Sequence, residues 1–141
     1  MTHKVHPKAF RIKEITDWSS RGFYEKNFSK YLEEDFRIRE FLQKKIGRLG
    51  VEKIDIERSP GKISVIISSA RPGLIIGRGG KGIEELSKAI NESLKKMLKK
   101  RGVSVPKVSL SLNIEELKRT DISAQYVAQL AAWDLEKRLP M

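Results

Sequence analysis

Cysteine is absent from the 141 residues. That excludes a disulfide framework, a thiolate metal site and a Cys nucleophile, and it fits a reducing compartment. Histidine is scarce as well. The two present, His3 and His6, have no thiol or carboxylate company, which makes a poor ligand set for a metal. No apolar run approaches the roughly 18–20 residues that a membrane span needs. Residues 1–7 hold no apolar segment of signal-peptide length, so export is not expected. Acidic charge is in deficit, with 18 Asp+Glu against 29 Lys+Arg and a net charge of +11.

What is present suffices for one compact domain with extensions. A hydrophobic fraction of 39% is too high for a wholly disordered chain. A pI near 10.0 asks for a polyanionic partner, either nucleic acid or an anionic membrane face. The excess charge is concentrated. Residues 71–107 carry net +7, whereas residues 115–141 carry net −1. A Lys-rich helix face that is merely solvated would look similar, so the glycine-rich stretch inside the same window carries the weight.

Along the chain, residues 1–30 show no clean periodicity and read as an arm, with short helical turns near 24–31. Residues 31–49 put Ile38, Phe41, Leu42, Ile46 and Leu49 on one helix face. Glu33, Glu34 and Asp35 suit the positive end of that helix, and Gly50 suits its C-terminal cap. Residues 51–58 and 62–69 alternate as two strands about a Ser59-Pro60-Gly61 turn, an antiparallel hairpin. After Ala70-Arg71-Pro72-Gly73 comes a short apolar turn, Leu74-Ile75-Ile76. A long helix over 82–100 then carries Ile83, Leu86, Ile90, Leu94, Met97 and Leu98 on its apolar face, closed by Arg101-Gly102. A third strand occupies 107–114. A last helix, 121–138, has Asp121 as candidate cap and a stripe of Ile122, Tyr126, Leu130 and Trp133, which expects a packing partner.

Between the two central helices lies Gly77-Arg78-Gly79-Gly80-Lys81-Gly82. It satisfies G-x-G-x-x-G literally, but the preceding strand belongs to a hairpin. About 20 residues on, where a ribose-binding acid belongs, stand Lys99, Lys100 and Arg101. A P-loop fails because Gly82 follows Gly80-Lys81 where Ser or Thr is required. Two readings remain. The glycines can simply shape a tight approach to the helix. Alternatively, Gly77–Gly80 is a G-x-x-G clamp for single-stranded nucleic acid, with bare amides, a helix dipole, Arg78 and Lys81 meeting phosphates. Glu84-Glu85 and Glu115-Glu116 are neighbours that point about 100° apart on a helix and form no acid–base dyad. No Ser-His-Asp constellation is identifiable, so no catalytic residue is assigned. Trp18, Phe23 and Tyr24 have two readings, base stacking and packing. Lys95, Lys96, Lys99, Lys100 and Arg101 likewise either contact phosphates or only solvate the helix. A membrane role is the weaker alternative, since the long basic helix has no Trp or Phe on its apolar face.

Ile75-Ile76-Gly77-Arg78-Gly79-Gly80-Lys81-Gly82-Ile83 between two helices resembles the KH signature, and the helix–strand–strand–helix–helix–strand order resembles the type II KH arrangement. Lys4-Val5-His6-Pro7, Arg11, Trp18 and Tyr31 to Arg39 resemble the bacterial-type S-three ribosomal proteins of the small subunit. Ser69-Ala70-Arg71-Pro72-Gly73 and Asp121-Ile122-Ser123-Ala124-Gln125 match that family too, so the resemblance spans essentially the whole chain.

The resemblance implies an α+β fold: a three-stranded sheet with helices on one face. It implies an N-terminal arm at 1–30, a type II KH domain at 31–114, and at 115–141 one helix of a truncated second domain. It implies a non-enzymatic component of the small ribosomal subunit, in the cytoplasm, binding ribosomal RNA of the subunit head. Its partners would be mRNA at its entrance tunnel and neighbouring small-subunit proteins. No cofactor, small-molecule substrate or membrane is implied. The implied RNA-binding residues are Gly77, Arg78, Gly79, Gly80 and Lys81, with Ile75 and Ile76 beneath the bases and Arg71 and Lys88 beside them. Lys4, His6 and Arg11 on the arm join them. The loop interior Arg78-Gly79 has one basic residue where the family commonly has two. The basic helicase-like element that the family offers to mRNA lies beyond Met141, so that activity is not assigned. The alternative is a free-standing KH-type regulator or ribosome-assembly factor.

Overall fold

The computed structural model describes residues 4, 5, 7, 17–23, 28–100, 109–118 and 123–138. Strand β1 is Ser20–Gly22, helix α1 is Phe28–Ile46, and strands β2 and β3 are Val51–Ser59 and Lys62–Ser69. Helix α2 is Pro72–Ile76 and helix α3 is Lys81–Lys100. Strand β4, Ser109–Glu116, and helix α4, Ala124–Glu136, complete the order. Arg101-Gly102, Lys107, Val108, Asp121 and Ile122 lie outside the described residues.

The sheet has four strands in the order β1-β2-β3-β4, one more than the resemblance implies. β2 and β3 form the expected antiparallel hairpin, turned at Gly61 with φ +75. β4 pairs with β3 in parallel. Parallel neighbours cannot be joined by a tight turn and need a crossover connection, usually helical. α2, the glycine loop and α3 fall within that crossover, so the topology itself places the loop at one end of the sheet.

The additional strand, β1, pairs in parallel with β2 through Ser20↔Ile56, Arg21↔Glu57 and Gly22↔Arg58. The Ile56 N–H donates to the Ser19 carbonyl at 2.9 Å. Arg39 of α1 donates to Ile54 O, to Ser19 O at 2.6 Å and to Ser20 Oγ at 2.7 Å. One guanidinium thus ties helix, sheet and arm together.

Alternation sorts the sheet into two faces. Register aligns Ile56, Val65 and Leu112 in one row and Ile54, Ile67 and Ile114 in the next. These residues meet Ile38, Leu42 and Ile46 of α1 and Ile90 of α3 in a single core. Both long helices therefore lie on one face of the sheet. α1 closes through a 3-10 turn at Gly47–Leu49 and a left-handed Gly50, φ 77 and ψ 37, the conformation a glycine cap supplies.

The acids near the start of α1 do a different job from the one expected. The helix begins at Phe28, so Glu33, Glu34 and Asp35 lie beyond its first turn. Asp35 is buried. It accepts from Arg58 Nε of β2 at 2.7 Å, while Arg58 Nη1 donates to Glu34 at 2.9 Å. The Tyr31 ring lies 5.1 Å from the same guanidinium. Two charges out of water need each other far more than they need a helix dipole.

Two residues of the apolar stripe of α4, Tyr126 and Trp133, meet this chain, whereas Leu130 stays exposed. Ser123, two residues beyond the expected Asp121, caps the helix by accepting from Tyr126 N at 3.3 Å. A Cβ on Gly50 would sit 3.1 Å from the Tyr126 ring, and Gln129 Nε2 donates to Val51 O at 2.9 Å. Arg71 lies over Trp133.

Replacing Arg58 with Leu removes the guanidinium that faces the buried Asp35 carboxylate. We expect a loss of about 3 kcal/mol in urea unfolding, against less than about 1 kcal/mol for Arg37→Ala in the exposed pair with Glu40.

Candidate nucleic-acid interface

Arg71 is extended, and Pro72 occupies the first turn of α2, where its missing N–H costs nothing. α2 ends at Gly77, whose φ of 71 and ψ of 177 turn the chain sharply. A 3-10 turn at Arg78–Gly80 follows, with Gly79 left-handed at φ 62 and ψ 25 and Gly80 at φ 80. α3 then starts at Lys81.

The glycines of this stretch divide into two kinds. A Cβ on Gly82 would lie 2.5 Å from Ile75 O and 2.9 Å from Ile76 O, and one on Gly77 would lie 3.1 Å from Gly82 N. Those two let α2 and α3 pack backbone to backbone. Around Gly79 and Gly80 a Cβ would meet nothing within 4 Å. No packing contact explains them; positive φ and open space do. The amide of Gly77 is taken by Gly73 O at 3.0 Å and that of Gly80 by Gly77 O at 3.4 Å. The amides of Arg78 and Gly79 donate to no acceptor among the described residues. They stand at the positive end of a 20-residue helix, an arrangement that favours an anion.

The side chains complete the surface. Arg78 and Lys81 are exposed and pair with no carboxylate among the described residues. Arg71 is exposed and rests over the Trp133 ring, 6.0 Å from its centroid. Ile75, expected beneath the bases, is a core residue, 2% exposed. Five residues of helix can turn one side chain inward and the next outward, and here the outward apolar residue is Leu74, 59% exposed. Ile76 is half-buried. Lys88 is exposed, seven residues beyond Lys81 and thus on the same face of α3. Glu85 and Glu92 share that face, which dilutes its positive charge. Lys4 is exposed on the arm; His6 and Arg11 lie outside the described residues.

Leu74 was missed by the sequence reading, although Arg71-x-x-Leu74 already places the two on one side of a helical turn. No group of three potential metal ligands occurs among the described residues, and no described helix is long and apolar enough to cross a membrane. An open groove of about 520 Å³ lies between α1 and β2, lined by Phe36, Val51, Ile54 and Gln125 among others; it shares no residue with the loop. Glu40, on that groove, is held below the usual carboxylate range by the hydrogen bond and charge of Lys44, with Arg37 adding to it.

Gly82→Ala is expected to cost about 2 kcal/mol, because backbone must move to admit the methyl. Gly79→Asn should cost no more than about 1 kcal/mol, since Asn tolerates the left-handed region and the space is open. Thermal unfolding of the two variants side by side checks this division of labour.

Comparison with known proteins agrees with the geometry. The chain is 43% identical over 140 residues to the protein named small ribosomal subunit protein uS3 of Caldicellulosiruptor saccharolyticus, covering 99% of this chain and 58% of the relative. It is 43% identical over 139 residues to the uS3 of Acetivibrio thermocellus, covering 98% and 56%. With the uS3 of Myxococcus xanthus the identity is 39% over 139 residues, covering 99% and 58%. The chain therefore spans a little over half the length of these relatives. The KH domain family matches residues 37–122, a stretch that runs from within α1 through β2, β3 and β4, both central helices and the glycine loop, and on that match and this fold the chain belongs to the KH domain family.

Proposed function

We propose that the chain is a non-enzymatic RNA-binding component of the small ribosomal subunit. The observation that carries the reading is the pair of amides at Arg78 and Gly79, unpartnered among the described residues, beside the exposed cations Arg78 and Lys81 at the head of α3. Such a corner takes a sugar–phosphate backbone and has no machinery for chemistry on it. Relatives named as small-subunit proteins over 99% of this chain support ribosomal RNA as the polyanion. We further place the binding in the subunit head, near the mRNA entrance and beside other small-subunit proteins, in the cytoplasm. In this reading residues 1–30 act as an arm, 31–114 as the RNA-binding domain and 115–141 as the beginning of a second domain.

The mechanism is capture and neutralisation. The loop amides and Arg78 hold one or two phosphates, while Lys81 and Arg71 neutralise those on either side. Glycine at 79 and 80 lets the strand approach without a side chain between. The clamp reads backbone, so sequence preference has to come from what lies beside the loop.

Replacing Arg78 and Gly79 with Asp reverses the charge where the phosphate sits. Binding of a short single-stranded RNA should fall by more than tenfold with the circular-dichroism spectrum unchanged; undiminished affinity refutes the clamp. Affinity of the parent protein should also fall by roughly 0.7 log units per phosphate contact for each tenfold rise in salt, and a flat response contradicts the electrostatic part. Retention on small subunits through a high-salt wash separates a resident component from a transient assembly factor.

A further inference from the structure

α4 is fastened at the start of β2 by Tyr126 and Gln129, through the approach to Gly50 and the hydrogen bond to Val51 O. Trp133, one turn beyond Gln129, does something else. Its ring lies under the guanidinium of Arg71 at 6.0 Å, the outer limit of a cation–π contact. It brings an aromatic surface to the residue that opens α2. The guanidinium is exposed and pairs with no carboxylate among the described residues, so its donors and its second planar face remain available. Leu74, 59% exposed, follows three residues later on α2. Half-buried Trp133, exposed Arg71, exposed Leu74 and the loop thus bring aromatic, cationic, apolar and bare-amide groups together around α2.

We propose that Trp133 and Arg71 form a stacking platform that takes one unpaired RNA base beyond the stretch clamped by the loop. The inference rests on the RNA-binding reading of the loop. Arg71 and Arg78 flank α2 and lie seven positions apart, about 10 Å at the helical rise, which is about three nucleotides at the roughly 3.4 Å spacing of stacked bases. A strand held at Arg78 therefore reaches Arg71 about three nucleotides away, where its base meets a guanidinium already backed by an indole. Base–aromatic stacking and its cation–π component tolerate any base. The platform therefore lengthens the binding site and adds no sequence code. A residue on α4 thereby belongs to the RNA surface, in a part of the chain whose net charge is negative.

The test uses oligouridylates of three and eight nucleotides with the full chain. Trp18 is replaced by Phe, leaving Trp133 as the single indole. Binding of the eight-nucleotide probe should quench Trp133 emission, and Trp133→Leu should weaken that probe about fivefold or more. The three-nucleotide probe, too short to reach Arg71 from Arg78, should bind the Leu variant unchanged, and Trp133→Phe should restore most of the long-probe affinity. Equal weakening of both probes, or no weakening of either, overturns the platform. Absence of quenching in the Trp18→Phe protein overturns it as well, whether or not the Leu variant folds. The Arg78/Gly79 double Asp variant separates the two claims. If it still binds the short probe, the loop reading has failed; if it does not, and Trp133 proves silent, only the platform has.

Discussion

The approach of α2 to α3 is the constraint on which the rest depends. Gly82 lies so close to the carbonyls of Ile75 and Ile76 that no side chain fits there. The chain between the two helices must then reverse within a few residues, and it does so through positive φ at Gly77, Gly79 and Gly80. A turn of that kind satisfies some amides internally and leaves others out. The two left out among the described residues, at Arg78 and Gly79, lie just before the positive end of α3. Packing of two helices and readiness for an anion are one geometric fact seen from inside and from outside.

The sheet supplies the rigidity this requires. A parallel β3–β4 pair needs a crossover, and the crossover holds the two helices in register with the core through Ile75 and Ile90. The far side of the domain is fastened by charge. Arg58 meets Asp35 and Glu34 across the α1–sheet junction, and Arg39 ties the arm strand to α1 and β2. Charge is thus used in two ways. Buried or bridging arginines hold elements together, whereas Arg71, Arg78, Lys81 and Lys88 remain free of carboxylates among the described residues and exposed.

Much of this was legible in the residues. The hairpin shows in the alternation of Ile54, Ile56, Ile63, Val65 and Ile67, and α3 shows in its apolar spacing; both elements lie where those patterns put them. The glycine loop announces itself by composition. What was not legible depended on contacts between distant residues. β1 has three residues and no periodicity, and its pairing rests on Arg39, about 20 positions away. The acids of α1 looked like dipole partners because sequence spacing cannot show that Arg58 folds back onto them. Ile75 and Leu74 are equivalent in an apolar run, and only the orientation of a five-residue helix decides which is buried. The contacts of the α4 stripe were illegible because nothing local links Tyr126 to Gly50 or Trp133 to Arg71.

The most direct measurement is an amide-resolved NMR titration of the protein with a four-nucleotide single-stranded RNA. The account predicts that the Arg78 and Gly79 amide resonances shift first and furthest, with those of Gly77 and Gly80, already bonded within the turn, moving less. Binding that leaves the Arg78 and Gly79 amides unperturbed while other surfaces respond would contradict it.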